Sequence, residues 1–82
     1  MGCPKIKSAK VLDERNLLIE LDNHRKKRYN IGLLLEKENF CFLKNFAFFK
    51  SVRVEQGGYA VSWNDRIDIS EYELWNNGEN LP

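Results

Sequence analysis

Apolar and polar residues alternate in two separate parts of this chain, with a phenylalanine-rich segment between them. The sharper pattern lies in residues 52–69. Val52 and Val54 alternate with Arg53 and Glu55, Gly57-Gly58 interrupts, and Tyr59, Val61 and Trp63 alternate with Ala60 and Ser62. Two alternating runs about a Gly-Gly pair predict a hairpin, because both glycines readily take the positive φ of a tight primed turn. A two-residue turn pairs Gln56 with Tyr59, Val54 with Val61 and Val52 with Trp63, so that the apolar partners share one face. Asn64-Asp65-Arg66 then returns the chain into Ile67-Asp68-Ile69. A three-residue loop there sets Ile67 opposite Trp63, Ile69 opposite Val61 and Asp68 beside Ser62.

Residues 5–12 read as a strand ending at the polar tetrad Asp13-Glu14-Arg15-Asn16. Residues 17–22 read as a second, with Leu17, Ile19 and Leu21 on one face. The register of this hairpin is open, since Val11 and Leu12 are both apolar and either suits the core. Leu18 implies cover on both sides of the second strand, as a central strand has. Asp22-Asn23-His24-Arg25 turns the chain into a third strand over 26–31. A two-residue turn would set Arg28 opposite Ile19 on the apolar face. A three-residue loop instead pairs Tyr29 with Ile19, Ile31 with Leu17 and Glu20 with Arg28, and this is the register expected. Asn23 or His24 then holds a positive φ, which both tolerate better than most residues.

Gly32 ends that strand, Leu33-Leu34-Leu35-Glu36 makes at most one helical turn, and Lys37-Glu38-Asn39 reads as a charged loop. All five phenylalanines fall in residues 40–49. Leu43, Phe46 and Phe49, at helical spacing, predict a short helix to about Lys50 with Asn45 as its cap. The cluster is expected to plug one sheet face, with a ligand pocket as the alternative. Ser70-Glu71-Tyr72-Glu73 is a capping box, in which Ser70 accepts from the Glu73 amide while Glu73 reaches back to Ser70. Tyr72, Leu74 and Trp75 give this last helix an apolar side, Gly78 ends it, and residues 79–82 are expected to fray. The pattern predicts an α+β fold. Two β-hairpin or meander groups form a mostly antiparallel or mixed sheet, with short helices near 45–50 and 71–76 in two layers. A single domain over 5–76 lies between tails at 1–4 and 77–82.

Composition narrows this further. Eighty-two residues, 43% apolar and 30% charged, suit one globular domain. A chain this short buries only roughly 60% of its unfolded surface, so its ten aromatic residues, five Phe, three Tyr and two Trp, carry much of the core. No run approaches the roughly 20 apolar residues of a membrane span, and no basic-then-apolar leader is seen. A cytoplasmic protein is expected. Ile6 stands where N-myristoylation needs Ser or Thr. Cys3, Cys41 and one His are too few and too scattered for a disulfide framework or a zinc site. Two reduced thiols and no metal or cofactor are expected. The net charge of +1 is unevenly spread: residues 1–30 carry eight Lys or Arg against four acids, and the rest five against eight. Such asymmetry suits either an acidic partner or an ordinary solvated face.

The run Phe49, Val52-Arg53-Val54, Gly57-Gly58-Tyr59, Ser62-Trp63, Ile67-Asp68-Ile69 and Leu74-Trp75 resembles the signature of the domain-of-unknown-function family 2442. Leu17 to Asp22-Asn23, Leu33-Leu34-Leu35, Phe42 and Phe46 extend the likeness over roughly residues 5–76. Asn23-His24 departs from the Asn-Gly of many relatives. The resemblance implies a short, bacterial α+β protein, helices on one side of its sheet, with no established reaction and no assigned residue roles. It also implies a neighbour: members are often encoded beside another small protein, as toxin–antitoxin pairs are. Some members carry an additional helix-turn-helix domain. No such segment is read in these residues, so a DNA role is not expected to carry over.

Three groups are candidate sites. Arg25, Lys26, Lys27 and Arg28, followed by Tyr29, form the one candidate nucleic-acid patch, in which cations meet phosphates and the ring stacks on a base. The bland alternative is an edge hairpin whose lysines discourage stray pairing. Arg53, Ser62 and Asp68 line one face of the second ribbon in the expected register. A catalytic triad would need a base near Ser62, and the single His lies in a distant turn, so an Arg–Asp pair bridging strands is the simpler reading. Trp63 and Trp75 are core or helix-docking residues, or interface aromatics. The chain is therefore expected to be a non-enzymatic interaction module whose partner is another small protein or a second copy, with no membrane. A nucleic-acid-binding accessory protein is the alternative.

Overall fold

The computed structural model describes residues 4–32, 34–64 and 66–81, with Asn39 described by its backbone alone. Cys3, Leu33 and Asp65, used above, lie outside the described residues. The first alternating region becomes β1 (Ile6–Val11), β2 (Asn16–Leu21) and β3 (Lys26–Asn30), an antiparallel meander. Every second residue of β2 is buried, so Leu17, Ile19 and Leu21 face the core as their spacing requires. The open register of the first hairpin resolves in favour of Val11, which pairs with Leu17, while Leu12 is left exposed. A bulge between Ile6 and Ser8 lets β1 keep Ile6 in the core despite the break in alternation at Lys7.

The turn between β2 and β3 has the expected length but not the expected position. The Leu21 amide donates to the Arg25 carbonyl, enclosing Asp22, Asn23 and His24, and His24 holds φ 69°. Leu17 therefore pairs with Tyr29 and Ile19 with Lys27, a shift of two residues from the expected pairing of Tyr29 with Ile19. A shift of two preserves the faces. The hydrophobic pattern could not tell the two registers apart, and a positive φ at His24 suits both.

The second region forms β4 (Arg53–Val54), β5 (Ala60–Asn64) and β6 (Ile67–Ser70), a three-stranded antiparallel sheet in that order. Arg53 pairs with Ser62, Val54 with Val61, Val61 with Ile69 and Ser62 with Asp68, as read from the pattern. Two details differ. Gly57 and Gly58 both have positive φ, but the reversal spans four residues, because Tyr59 is not extended and the Glu55 amide donates to the Ala60 carbonyl. Ile67 lies opposite Asn64 rather than Trp63, because a bulge intervenes between Ser62 and Asn64. The Asn64 side chain accepts from the amides of Arg66 and Ile67 and fixes that corner.

Between the sheets the chain runs through 3-10 turns at Leu34–Glu36 and Glu38–Lys44 into α1 (Phe46–Phe49), whose cap Asn45 accepts from the Phe48 amide. The charged loop expected at 37–39 is thus mostly helical, drawn into the second 3-10 turn that buries Leu43. Leu43 and Phe49 plug the core, with Phe40 and Phe48 packed against it; Phe42 and Phe46 do not join them and stay exposed. Ser70 caps α2 (Glu71–Asn77) by accepting from the Glu73 amide. After Gly78, residues expected to fray instead form β7 (Glu79–Leu81) along β3, giving a four-stranded sheet β1-β2-β3-β7. Backbone pairing, not apolar side chains, holds this segment. The fold is α+β, with the core between the two sheets and both α-helices packed at its margins.

Candidate functional site: a polar groove and an unpaired strand edge

The basic hairpin is not one surface. Arg25 and Lys26 are exposed, but Lys27 is only 6% exposed because alternation along β3 turns it inward opposite Ile19. Its ammonium donates to the Trp75 carbonyl at the end of α2, lies 3.4 Å from the Gly78 carbonyl, and sits 4.6 Å from the Trp75 ring centre. A cation there satisfies carbonyls that the helix end leaves open and opposes the negative end of its dipole. Arg28 forks onto the Glu79 carboxylate of β7. Tyr29 is buried. Two of the four basic side chains and the ring behind them are thus committed within the protein.

The second cluster is assembled in register but not as a site. Ser62 is fully buried, and the Arg53 guanidinium reaches its hydroxyl at 3.5 Å. Asp68 pairs with Ser62 across β5 and β6 and is exposed. Among the described residues no ion pair joins Arg53 to Asp68, so the expected strand-bridging pair is not made. Trp63 is a core residue, its ring stacked on Phe49 at 6.1 Å and its indole donating to the Phe49 carbonyl at 2.9 Å. Trp75 is half-buried beneath Lys27.

One concavity lies outside the three groups read from the sequence. A half-open groove of about 800 Å³ runs between β3, the Leu34 turn and α2, bounded by Arg28, Tyr29, Lys37, Glu73 and Glu79. A shallower one of about 340 Å³ continues from Tyr29 and Glu73 to Asp68 and Ser70. The Tyr29 hydroxyl donates to Glu73 at 2.8 Å. Glu73 therefore does not close the capping box back onto Ser70. Burial first, then the adjacent Glu73 carboxylate, pushes the Tyr29 hydroxyl well above its ordinary range. It remains a protonated donor at neutral pH, and of the groove's charges Arg28 and Glu79 are paired with each other. The available signal was the choice of Tyr rather than Phe at an inward β3 position, since a buried phenol needs a partner.

A second feature lies on the opposite side of the meander. Ala9, Lys10 and Val11 of β1, with Phe46, Lys50 and Val52, line a groove of about 320 Å³. Phe42 is 65% exposed and Phe46 43%, so the aromatic segment that plugs the core also presents rings to solvent. Lys50 stands 5.3 Å over the Phe46 ring.

Among the described residues no three His, Cys, Asp or Glu side chains gather as a metal ion would require, and Cys41 is a free, exposed thiol. No helix among them is long and apolar enough to cross a membrane. No curated protein and no solved structure gives a significant match to the chain. A family model described as "Protein of unknown function (DUF2442)" matches residues 6–80, which carry both sheets but for the last residue of β7, and all three grooves, and the chain belongs to that family.

Proposed function

We propose that this chain is a non-enzymatic protein-interaction module. The observation that carries this reading is the exposed aromatic surface of Phe42 and Phe46 on a segment whose other phenylalanines build the core. A domain this small gains by burying such rings, and leaving them in water is characteristic of a surface that meets another protein. The way the polar residues are divided agrees with it. Ser62 is buried with Arg53 as its contact, among the described residues no His or carboxylate is hydrogen-bonded to its hydroxyl, and Tyr29 and Glu73 hold each other. In its most specific form the module is the antitoxin-like half of a small bacterial pair, acting in the cytoplasm on the protein encoded next to it. That form rests on the family resemblance. Nucleic-acid binding through residues 25–28 is the less favoured reading, because Lys27 and Arg28 are engaged internally.

Co-expression with the product of the adjacent gene, followed by size-exclusion chromatography and calorimetry, tests the proposal. A complex persisting at micromolar concentration is expected, and its absence would overturn the reading. Gel shifts with single- and double-stranded nucleic acid at low salt test the other, for which no retardation is expected.

A further inference from the structure

The main chain of β1 is paired on one side only. The Leu12 amide donates to the Asn16 carbonyl at 2.9 Å, and Lys10 and Ser8 lie opposite Leu18 and Glu20 in the same register. Antiparallel strands alternate between residues that exchange both hydrogen bonds and residues that exchange none. Ser8, Lys10 and Leu12 therefore direct their amides and carbonyls at β2, while Ala9 and Val11 direct theirs outward. The pairing of β2 with β3 confirms the phase, since Leu21 and Arg15 bond to Arg25 and Ile31 on the other side. Among the described residues no backbone hydrogen bond to another element reaches Ala9 or Val11, and sheet order leaves β1 at the edge. Part of the same edge is covered: β4 packs beside β1 without pairing to it, and the Gly58 turn packs on the Ile6 backbone closely enough that a Cβ would lie 2.6 Å from the Ile6 carbonyl oxygen.

The open part of the edge coincides with the apolar groove of Phe46 and Val52. Two lysines, Lys10 and Lys50, line that groove, no carboxylate does, and among the described residues neither lysine has an ion-pair partner. We infer that residues 9–11 and the groove beside them receive an extended, carboxylate-bearing segment of a partner protein, which adds a strand to β1. This deepens the interaction reading above and rests on it. Strand addition supplies affinity through main-chain hydrogen bonds, and alternate side chains supply selectivity. Apolar side chains of the incoming strand meet Phe46 and Val52, and its carboxylates meet Lys10 and Lys50. A cationic segment is repelled at the same place.

The outward N–H of Ala9 permits a selective test. Ala9→Pro removes a donor aimed away from β2 and leaves the β1–β2 ladder intact, since proline is tolerated on strand edges. The probe is a short, end-capped peptide of alternating Val and Glu, titrated into the isotope-labelled full chain and followed by amide chemical shifts. Shifts confined to residues 9–11, 46, 50 and 52 are expected, and a peptide of alternating Val and Lys should produce none. Ala9→Pro should weaken the response by about tenfold or more, and the double variant Lys10→Glu, Lys50→Glu should do the same should the proline variant prove unstable. Absence of shifts, shifts elsewhere, or an equal response to the lysine peptide would overturn the assignment. So would concentration-dependent shifts at these residues without peptide, which would make the occupant a second copy of this chain. Failure here with a stable complex to the neighbouring protein would sink only the groove, whereas failure of that complex would sink the interaction reading.

Discussion

Gly58 is the residue at which backbone conformation and packing coincide most sharply. Its φ is +75°, and a Cβ there would meet the Ile6 carbonyl oxygen at 2.6 Å and the Ile6 amide nitrogen at 2.9 Å. Neither backbone atom can swing aside. Gly57 has φ +84°, but the atoms facing its missing Cβ belong to the Tyr59 ring, which can rotate. Gly57→Ala should cost about 1–2 kcal/mol from the left-handed backbone alone, and Gly58→Ala should cost distinctly more, on the order of 3 kcal/mol. Chemical denaturation of the two variants checks the ordering; equal losses would mean that the turn does not press on β1. Tyr29 makes the second prediction at this scale. Its proton is held in the folded protein by burial and by Glu73, above the ordinary value of 10.0. Below that pH both folded and unfolded chains keep the proton, and the stabilisation is fully present. As pH rises past it the unfolded chain releases a proton that the folded one retains, so stability falls. Tyr29→Phe should flatten this alkaline limb in denaturation profiles taken above pH 10, while lowering neutral stability by about 1 kcal/mol for the lost hydrogen bond.

Two side chains of β3 reach α2, Tyr29 through its hydrogen bond to Glu73 and Lys27 through the carbonyl of Trp75. Charge counting along the hairpin groups Lys27 with Arg25, Lys26 and Arg28, yet alternation turns it onto the core side, where α2 ends above it. Lys27→Met keeps the length and apolar stem but removes the donor to the helix-end carbonyls. A loss of about 1–3 kcal/mol is expected, against no more than about 0.5 kcal/mol for Lys26→Ala. Thermal melts of the pair decide whether the cation is structural. Gly78 belongs to the same joint. A Cβ there would meet the Leu74 carbonyl at 2.5 Å and Lys27 side-chain carbons at 3.2 Å, so glycine is what lets the chain leave α2 over the lysine and enter β7. That exit explains why residues 79–81 are ordered despite their polarity. They are delivered to the free edge of β3, and main-chain hydrogen bonds do what apolar burial normally does.

On the scale of the molecule, the two sheets share one core, and within it Phe49 of α1 stacks on Trp63 of β5. Phe49 is fully buried, lies 6.1 Å from Trp63, and its carbonyl receives the indole N–H. Phe49→Ala should cost about 3–5 kcal/mol, a large part of the roughly 5–15 kcal/mol typical of whole domains. Loss of a cooperative transition, together with loss of the near-ultraviolet dichroism of Trp63, is the expected outcome. A variant that melted as sharply as the parent would show that the sheets hold together by other contacts. The same segment that supplies this stack also leaves Phe46 beside the open edge of β1, so the core and the proposed recognition surface share a short stretch of chain.

Local rules determined much of this protein by themselves. The Gly-Gly turn and alternating runs placed β4, β5 and β6 and their central register, Ser70 and Asn45 placed two helix starts, and the β2 periodicity placed one wall of the core. These features depend on near neighbours in sequence, and their period or hydrogen bonding can be read there. What the tertiary structure decided depends on distant segments. The two-residue register of β2 against β3 was invisible because either choice keeps the same faces. β7 needed the vacant edge of β3, Lys27 needed the end of α2, and Glu73 turned from its own cap to Tyr29 because folding brought a buried phenol within reach. The candidate surface is of that second kind: whether Ala9 and Val11 are paired depends on which strand, if any, the rest of the chain lays beside them.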